Sequence, residues 1–197
     1  MEDKKYFSRQ IDESLMAWKN STRHKPLLLR GARQVGKSSS VRHLAKQFDN
    51  FVEINFERKP AYLEIFKGDR DAKHIVEMIK SITGEPIVPG KTLLFFDEIQ
   101  MCQEAISSLR FFWEDMPGLH VIAAGSLLEF ALSEIPTFGV GRIHSMFMYP
   151  MSFDEFLNAL GMFSLQKYKR EASPEKPLLS ALHEQLVSLF RTYLMVG

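Results

Sequence analysis

The chain has 197 residues, enough for one sizeable core, and 45% of them are hydrophobic with 11 Gly and 9 Pro, which excludes a disordered or fibrous protein. Lys and Arg number 25 against 24 Asp and Glu, a formal net charge of +1, so no global field favours nucleic acid or an anionic membrane. Cys102 is the only cysteine, Met1 to Tyr6 carry charges of both signs with no apolar stretch behind them, and no apolar run could span a bilayer. These features predict a cytoplasmic protein without an intrachain disulfide.

In chain order, Ile11, Leu15 and Trp18 recur at helical spacing and predict an amphipathic helix, ended by a linker with Lys25 and Pro26. Leu27 to Leu29 form a short continuous apolar run opening onto Gly31, the pattern of a strand buried on both faces. Val41, Leu44, Ala45 and Phe48 line one face of a helix from Ser38 to Phe48. Phe51, Ile54 and Phe56 mark a second strand, followed by a short helix over Pro60 to Phe66. Ile75, Met78, Ile79 and Ile82 give a clear helix closed by Gly84 and Pro86.

Leu93 to Phe96 is again a short apolar run, ending in Asp97 and Glu98, and reads as a central strand. Ala105 to Trp113 predicts a helix, Pro117 and Gly118 a turn, and Val121 to Ala124 another buried strand. After Gly125 and Ser126 come an apolar helical stretch, a loop with Pro136, Gly139 and Gly141, and a last strand over Ile143 to Met148. Ser152 and Glu155 have the spacing of a capping box, starting a helix with Phe156, Leu157 and Leu160. The charged stretch Lys167 to Lys176 reads as an exposed loop before a final amphipathic helix from Leu178. Strands alternating with helices imply an α/β protein with a parallel sheet covered on both faces.

The run Gly31-Ala32-Arg33-Gln34-Val35-Gly36-Lys37-Ser38 has two glycines separated by four residues and followed by Lys and Ser, the P-loop pattern, lying between an apolar strand and a helix that continues through Ser39. The main-chain amides of Gly31 through Ser39 can cradle a phosphate, Lys37 can reach the outer phosphates, and the Ser38 hydroxyl can ligate magnesium. Arg33 and Gln34 occupy positions that the chemistry leaves free. Asp97 is the expected second magnesium partner, and Glu98 can accept a proton from a water attacking the terminal phosphate. Ser126, past a strand at the carboxyl edge of the sheet, can sense that phosphate or cap the next helix. Arg142 can stabilise phosphate charge in cis or from a neighbouring subunit, or stand as a solvated surface residue.

Other clusters carry less. The histidines show no metal-ligand spacing, and Phe111 to Trp113 read as core rather than a stacking platform for bases. Glu171 and Glu175 neighbour Lys167, Lys169 and Arg170, which suits a solvated surface better than a nucleic-acid contact.

The loop Gly31 to Ser38, the run Leu93 to Gln100, Gly125-Ser126, Gly141-Arg142 and the stretch Tyr149 to Leu157 resemble the prokaryotic AAA-superfamily ATPases that are paired with a DUF4143 C-terminal region. The resemblance implies a three-layer P-loop NTPase sandwich with about five strands in the order 5-1-4-3-2, and ATP and Mg2+ as ligands. It implies the roles above for Lys37, Ser38, Asp97 and Glu98. On this reading residues 1–24 are an N-terminal helix on the core, 25–161 the ATPase core, and 162–197 the start of a C-terminal region through which a DNA or protein client would be read; an oligomer is allowed. The expected activity is ATP hydrolysis that drives a conformational change. A nucleotide-dependent switch with little turnover and a small-molecule phosphotransferase stay open. No Asn-Lys-x-Asp segment of the kind that reads guanine occurs, which favours ATP over GTP.

Overall fold

A computed structural model describes residues 6–68, 71–126, 128 and 141–196. Contacts divide the chain into two compact units, Ile11–Met148 and a second drawn from Met1–Gln10 and Tyr149–Gly197.

The larger unit is built on five strands: β1 (Leu27–Arg30), β2 (Asn50–Asn55), β3 (Thr92–Asp97), β4 (His120–Ala124) and β5 (His144–Phe147). They form one sheet in the order β2-β3-β4-β1-β5, with every pairing parallel. This is the predicted order read from the other edge. Position in the sheet explains the sequence patterns. The interior strands β3 and β4 are buried at every residue, and so read as continuous apolar runs over Leu93 to Phe96 and Val121 to Ala124. The edge strand β5 is largely exposed, which is why Ile143 to Met148 mixes polar and apolar residues.

Alternation within those runs sorts the side chains between two faces. Leu28, Leu94, Phe96, Val121 and Ala123 point to one side, where they pack with helices α3 (Ala72–Thr83) and α4 (Gln103–Asp115). Leu27, Leu29, Leu93, Phe95, Ile122 and Ala124 point to the other, under α1 (Ile11–Asn20) and α2 (Lys37–Ala45). Each such leucine or phenylalanine contributes roughly 1.5–3 kcal/mol by leaving water. The 3₁₀ segment Pro60–Phe66 closes the first face with Tyr62, Ile65 and Phe66. Helix α3 starts at Asp71, whose carboxylate accepts the Lys73 amide, and stops at Gly84 in the left-handed region, the end its sequence predicts.

The smaller unit carries α5 (Phe153–Ala159), α6 (Phe163–Glu171) and α7 (Ser180–Val196), packed around Leu157, Leu165 and Leu186. The capping box at Ser152 and Glu155 is formed in both directions. Glu155 also accepts the Gln10 amide at 2.7 Å and Arg9 Nε at 3.1 Å.

Tyr149 to Gly161 group with the C-terminal helices, where Leu157 packs with Leu165 and Leu186. The expected loop Lys167 to Lys176 is helical up to Glu171. Leu165 and Gln166 bury one side of that helix, and Lys169 Nζ reaches Asp154 Oδ1 at 2.8 Å. The helical stretch expected after Ser126, with the loop bearing Pro136 and Gly139, lies outside the described residues. Among the described residues no helix is long and apolar enough to cross a membrane.

Candidate functional site

Three loops converge at the carboxyl edge of the sheet. β1 ends at Arg30, and the chain turns through Gly31 to Gly36 into α2. Positive φ values at Gly31 (145°), Gln34 (63°) and Gly36 (102°) produce this turn, the kind of curvature that points successive amides inward. Gly31 has a second reason to lack a side chain: any Cβ there would meet the carbonyl of Met148, whose own amide donates to the Arg30 carbonyl at 2.8 Å. Gly36 stands at the N-cap of α2 and has no side chain to cap the helix. Its first-turn amides and positive dipole end are therefore available to an anion.

Lys37, the first residue of α2, is 8% exposed. Its ammonium donates to the carbonyls of Gly31 at 2.9 Å and Ala32 at 2.8 Å, so it is folded over the loop. Burial lowers its pKa, while the charges of Glu98 and Asp97 work in the opposite direction. Among the described residues its ammonium bonds only to these neutral carbonyls, and a desolvated cation so placed is suited to a polyanion. Ser39 is exposed on the next position of the helix, and Val35 is half-buried. Arg33 and Gln34 are exposed, Arg33 standing 3.6 Å from Glu57 on the surface.

β3 brings Asp97 to the same place. Asp97 is 5% exposed, and its Oδ1 accepts the Ser38 hydroxyl at 2.9 Å and the Glu98 amide at 3.2 Å. Its Oδ2 accepts Asn55 Nδ2 at 3.0 Å. Asn55 ends β2 directly in register with Asp97. Arg42, one turn along α2 from Ser38, forks onto Glu53 at 2.6 and 2.9 Å and lies 3.7 Å from Asp97. Burial raises the Asp97 pKa; the Ser38 hydrogen bond opposes this, Glu53 and Glu98 add to it, and Arg42 opposes it.

A cation beside Asp97 would relieve that burial cost. No group of three or more His, Cys, Asp or Glu among the described residues is arranged to hold a metal. One hydroxyl and one carboxylate beside a phosphate cradle nevertheless fit magnesium, which keeps several waters and takes phosphate oxygens as further ligands. This donor set suits a nucleotide with its metal.

Glu98 follows with a left-handed backbone, φ 53° and ψ 44°, and is half-buried. Gln100 Nε2 donates to its Oε2 at 2.6 Å. Ser126 is buried two residues beyond β4, whose Ala124 is in register with both Asp97 and Leu29. Lys37, Ser38, Asp97, Glu98 and Ser126 therefore belong to one edge of the sheet. Arg142 does not. It precedes β5, whose first residue His144 pairs with Leu27 at the start of β1, and its Nε contacts Glu114 Oε1 at 2.5 Å near the end of α4. That is the edge opposite the loop Gly31 to Ser38.

Arg42, Glu53, Asn55 and Gln100 escaped the sequence reading. Asn55 was within reach of it, since a polar residue ending a strand beside the Asp97 strand must share its edge. Arg42 stands four residues after Ser38 and so on the same helix face. Glu53 and Gln100 carry no such signal.

Taken together, the strand order and the loop that joins β1 to α2 define a P-loop NTPase fold. Residues 23–157 match the family model described as an AAA domain, and the chain belongs to that family, AAA_14. Membership brings nucleotide binding with it. No curated protein matches the chain.

Proposed function

We propose that this protein binds ATP with magnesium and hydrolyses it, coupling the change at the loop to a partner or C-terminal module. The observation that carries the reading is the 2.9 Å bond from Ser38 to Asp97, which joins the phosphate loop to the acidic end of β3. Lys37 exchanges the Gly31 and Ala32 carbonyls for phosphate oxygens, and the amides at the start of α2 neutralise the rest of the phosphate chain. Ser38 and Asp97 would hold magnesium. Bound there, it supplies positive charge to the phosphate oxygens as the bond to the leaving diphosphate breaks. Glu98 orients a water and takes its proton as the water oxygen bonds to the terminal phosphorus, giving ADP and phosphate. Ser126 donates to the terminal phosphate.

The pairing of Arg142 with Glu114 favours a second reading. Here nucleotide is held and turned over slowly until a partner supplies a cation, and the protein acts as a switch. A magnesium-dependent phosphate-release assay separates the two. Turnover without any partner, lost in both Lys37→Ala and Glu98→Gln, supports the hydrolase. Tight ATP binding with no phosphate release above the Glu98→Gln background contradicts it and supports the switch.

A further inference from the structure

We propose that Gln100 is a positioning residue that aims the Glu98 carboxylate, and that Gly125 lacks a side chain to make room for it. The inference rests on the reading of Glu98 as the group that takes the proton of the attacking water.

Gln100 lies in the 3₁₀ segment Ile99–Met101, directly after β3. An ionised carboxylate can only accept hydrogen bonds, so the amide nitrogen of Gln100 must be the end that faces Glu98, at 2.6 Å. That choice fixes the other end. Oε1 is buried and has no hydrogen-bond partner among the described residues. Packing alone does not favour an amide with an unsatisfied oxygen; an apolar side chain of the same length would fill the space without that cost. What the amide adds is the bond to Glu98.

Two further features converge on the same carboxylate. Glu98 holds a left-handed backbone, which a residue with a side chain adopts at a cost and which turns it out of the line of β3. On the far side of the amide stands Gly125. A Cβ built there would meet Gln100 Oε1, with Leu128 Cγ and Cδ2 at 3.2 Å closing the other directions. Gly125 immediately precedes Ser126, so the segment that reaches toward the terminal phosphate and the group that reaches toward the water share one contact, the Gln100 amide. A strained backbone, a short charge-assisted bond and an orphaned acceptor then have a single explanation: they fix where the carboxylate of Glu98 points.

The test combines steady-state ATP hydrolysis with crystal structures of the nucleotide-free protein. Gln100→Met keeps the length of the side chain and removes the donor. Gly125→Ala pushes a methyl group into the amide oxygen. Each is expected to lower kcat by about 10-fold or more, the size of a lost hydrogen bond to a charged group, while KM and equilibrium ATP binding stay within about two-fold of the unmodified protein. Gln100→Glu, which sets a like charge against Glu98, is expected to fall at least as far, and Gln100→Met adds nothing in a Glu98→Gln background. Should Gly125→Ala fail to fold, the two Gln100 variants carry the test. Unchanged kcat in Gln100→Met, or a loss carried by KM, overturns the proposal. Absence of phosphate release by the unmodified protein overturns the hydrolase reading instead. The positioning claim is then decided by the structures: it stands if the Glu98 carboxylate leaves its place in Gln100→Met, and is overturned if it stays.

Discussion

Lys37 and Asp97 illustrate opposite consequences of burial for a charge. Burial makes the ammonium of Lys37 easier to deprotonate and the carboxyl of Asp97 easier to protonate, so each gains when an opposite charge arrives. Replacing Lys37 with Ala is expected to weaken ATP binding by about 100-fold or more, the loss of one charge-assisted phosphate contact, with the fold intact by circular dichroism. Asn55 makes a different prediction. Its amide is the partner of Asp97 Oδ2 at 3.0 Å, with Arg42 farther away at 3.7 Å. Asn55→Ala is expected to destabilise the protein by about 2 kcal/mol in urea titrations, the cost of a lost hydrogen bond to a buried charged group. A value within 0.5 kcal/mol of zero, roughly the scatter expected of an unstructured surface site, would show that water replaces the amide. Cys102 has no comparable task, since burial pushes its thiol up to about 11 and leaves it a poor nucleophile.

At the scale of elements, the seam between α1 and the amino ends of β1 and β4 is a pH-sensitive joint. Trp18, His24 and His120 pack ring against ring there, with the two imidazoles stacked at 3.6 Å. Burial and the neighbouring His120 lower the His24 pKa from 6.5 to about 4, and burial likewise lowers that of His120. Between these values the unfolded chain binds a proton that the folded protein refuses, so stability falls as pH drops from 6.5 toward 4. Above 6.5 the effect is absent. The loss is on the order of 3 kcal/mol, measured as the change in unfolding free energy between those limits, and His24→Phe is expected to flatten that slope. In the smaller unit, Glu155→Ala removes the partner of Arg9 and of two amides and is expected to raise hydrogen exchange across α5. The same scale shows what the sequence could reveal. β1, β3 and β4 were legible because burial on both faces leaves a continuous apolar run in each, Leu27 to Leu29, Leu93 to Phe96 and Val121 to Ala124. α6 was not, because it buries little beyond Leu165 and Gln166 and its remaining surface is charged. Lys37 and Ser38 were legible from the spacing of the loop and Asp97 from its place at the end of an apolar run, with Asn55 and Arg42 within reach of the same signals, whereas Glu53 was not, because its contact with Arg42 depends on tertiary placement that no local pattern encodes.

For the whole molecule, a ligand that binds only the folded state must stabilise it. ATP at 100 times its dissociation constant is expected to add about 2.7 kcal/mol, a rise in Tm of roughly 5–10 °C for a chain of this size, with little change for Lys37→Ala at the same concentration. Catalysis, switching and any coupling to a partner all presuppose that the edge formed by Gly31 to Ser38 and Asp97 grips a triphosphate. The most direct test is a calorimetric titration of ATP into the unmodified protein and into Lys37→Ala, each with and without magnesium. The account predicts one site, tightened by magnesium in the unmodified protein and lost in the variant. Equal heats and affinities in the two proteins, or binding indifferent to magnesium, would contradict it.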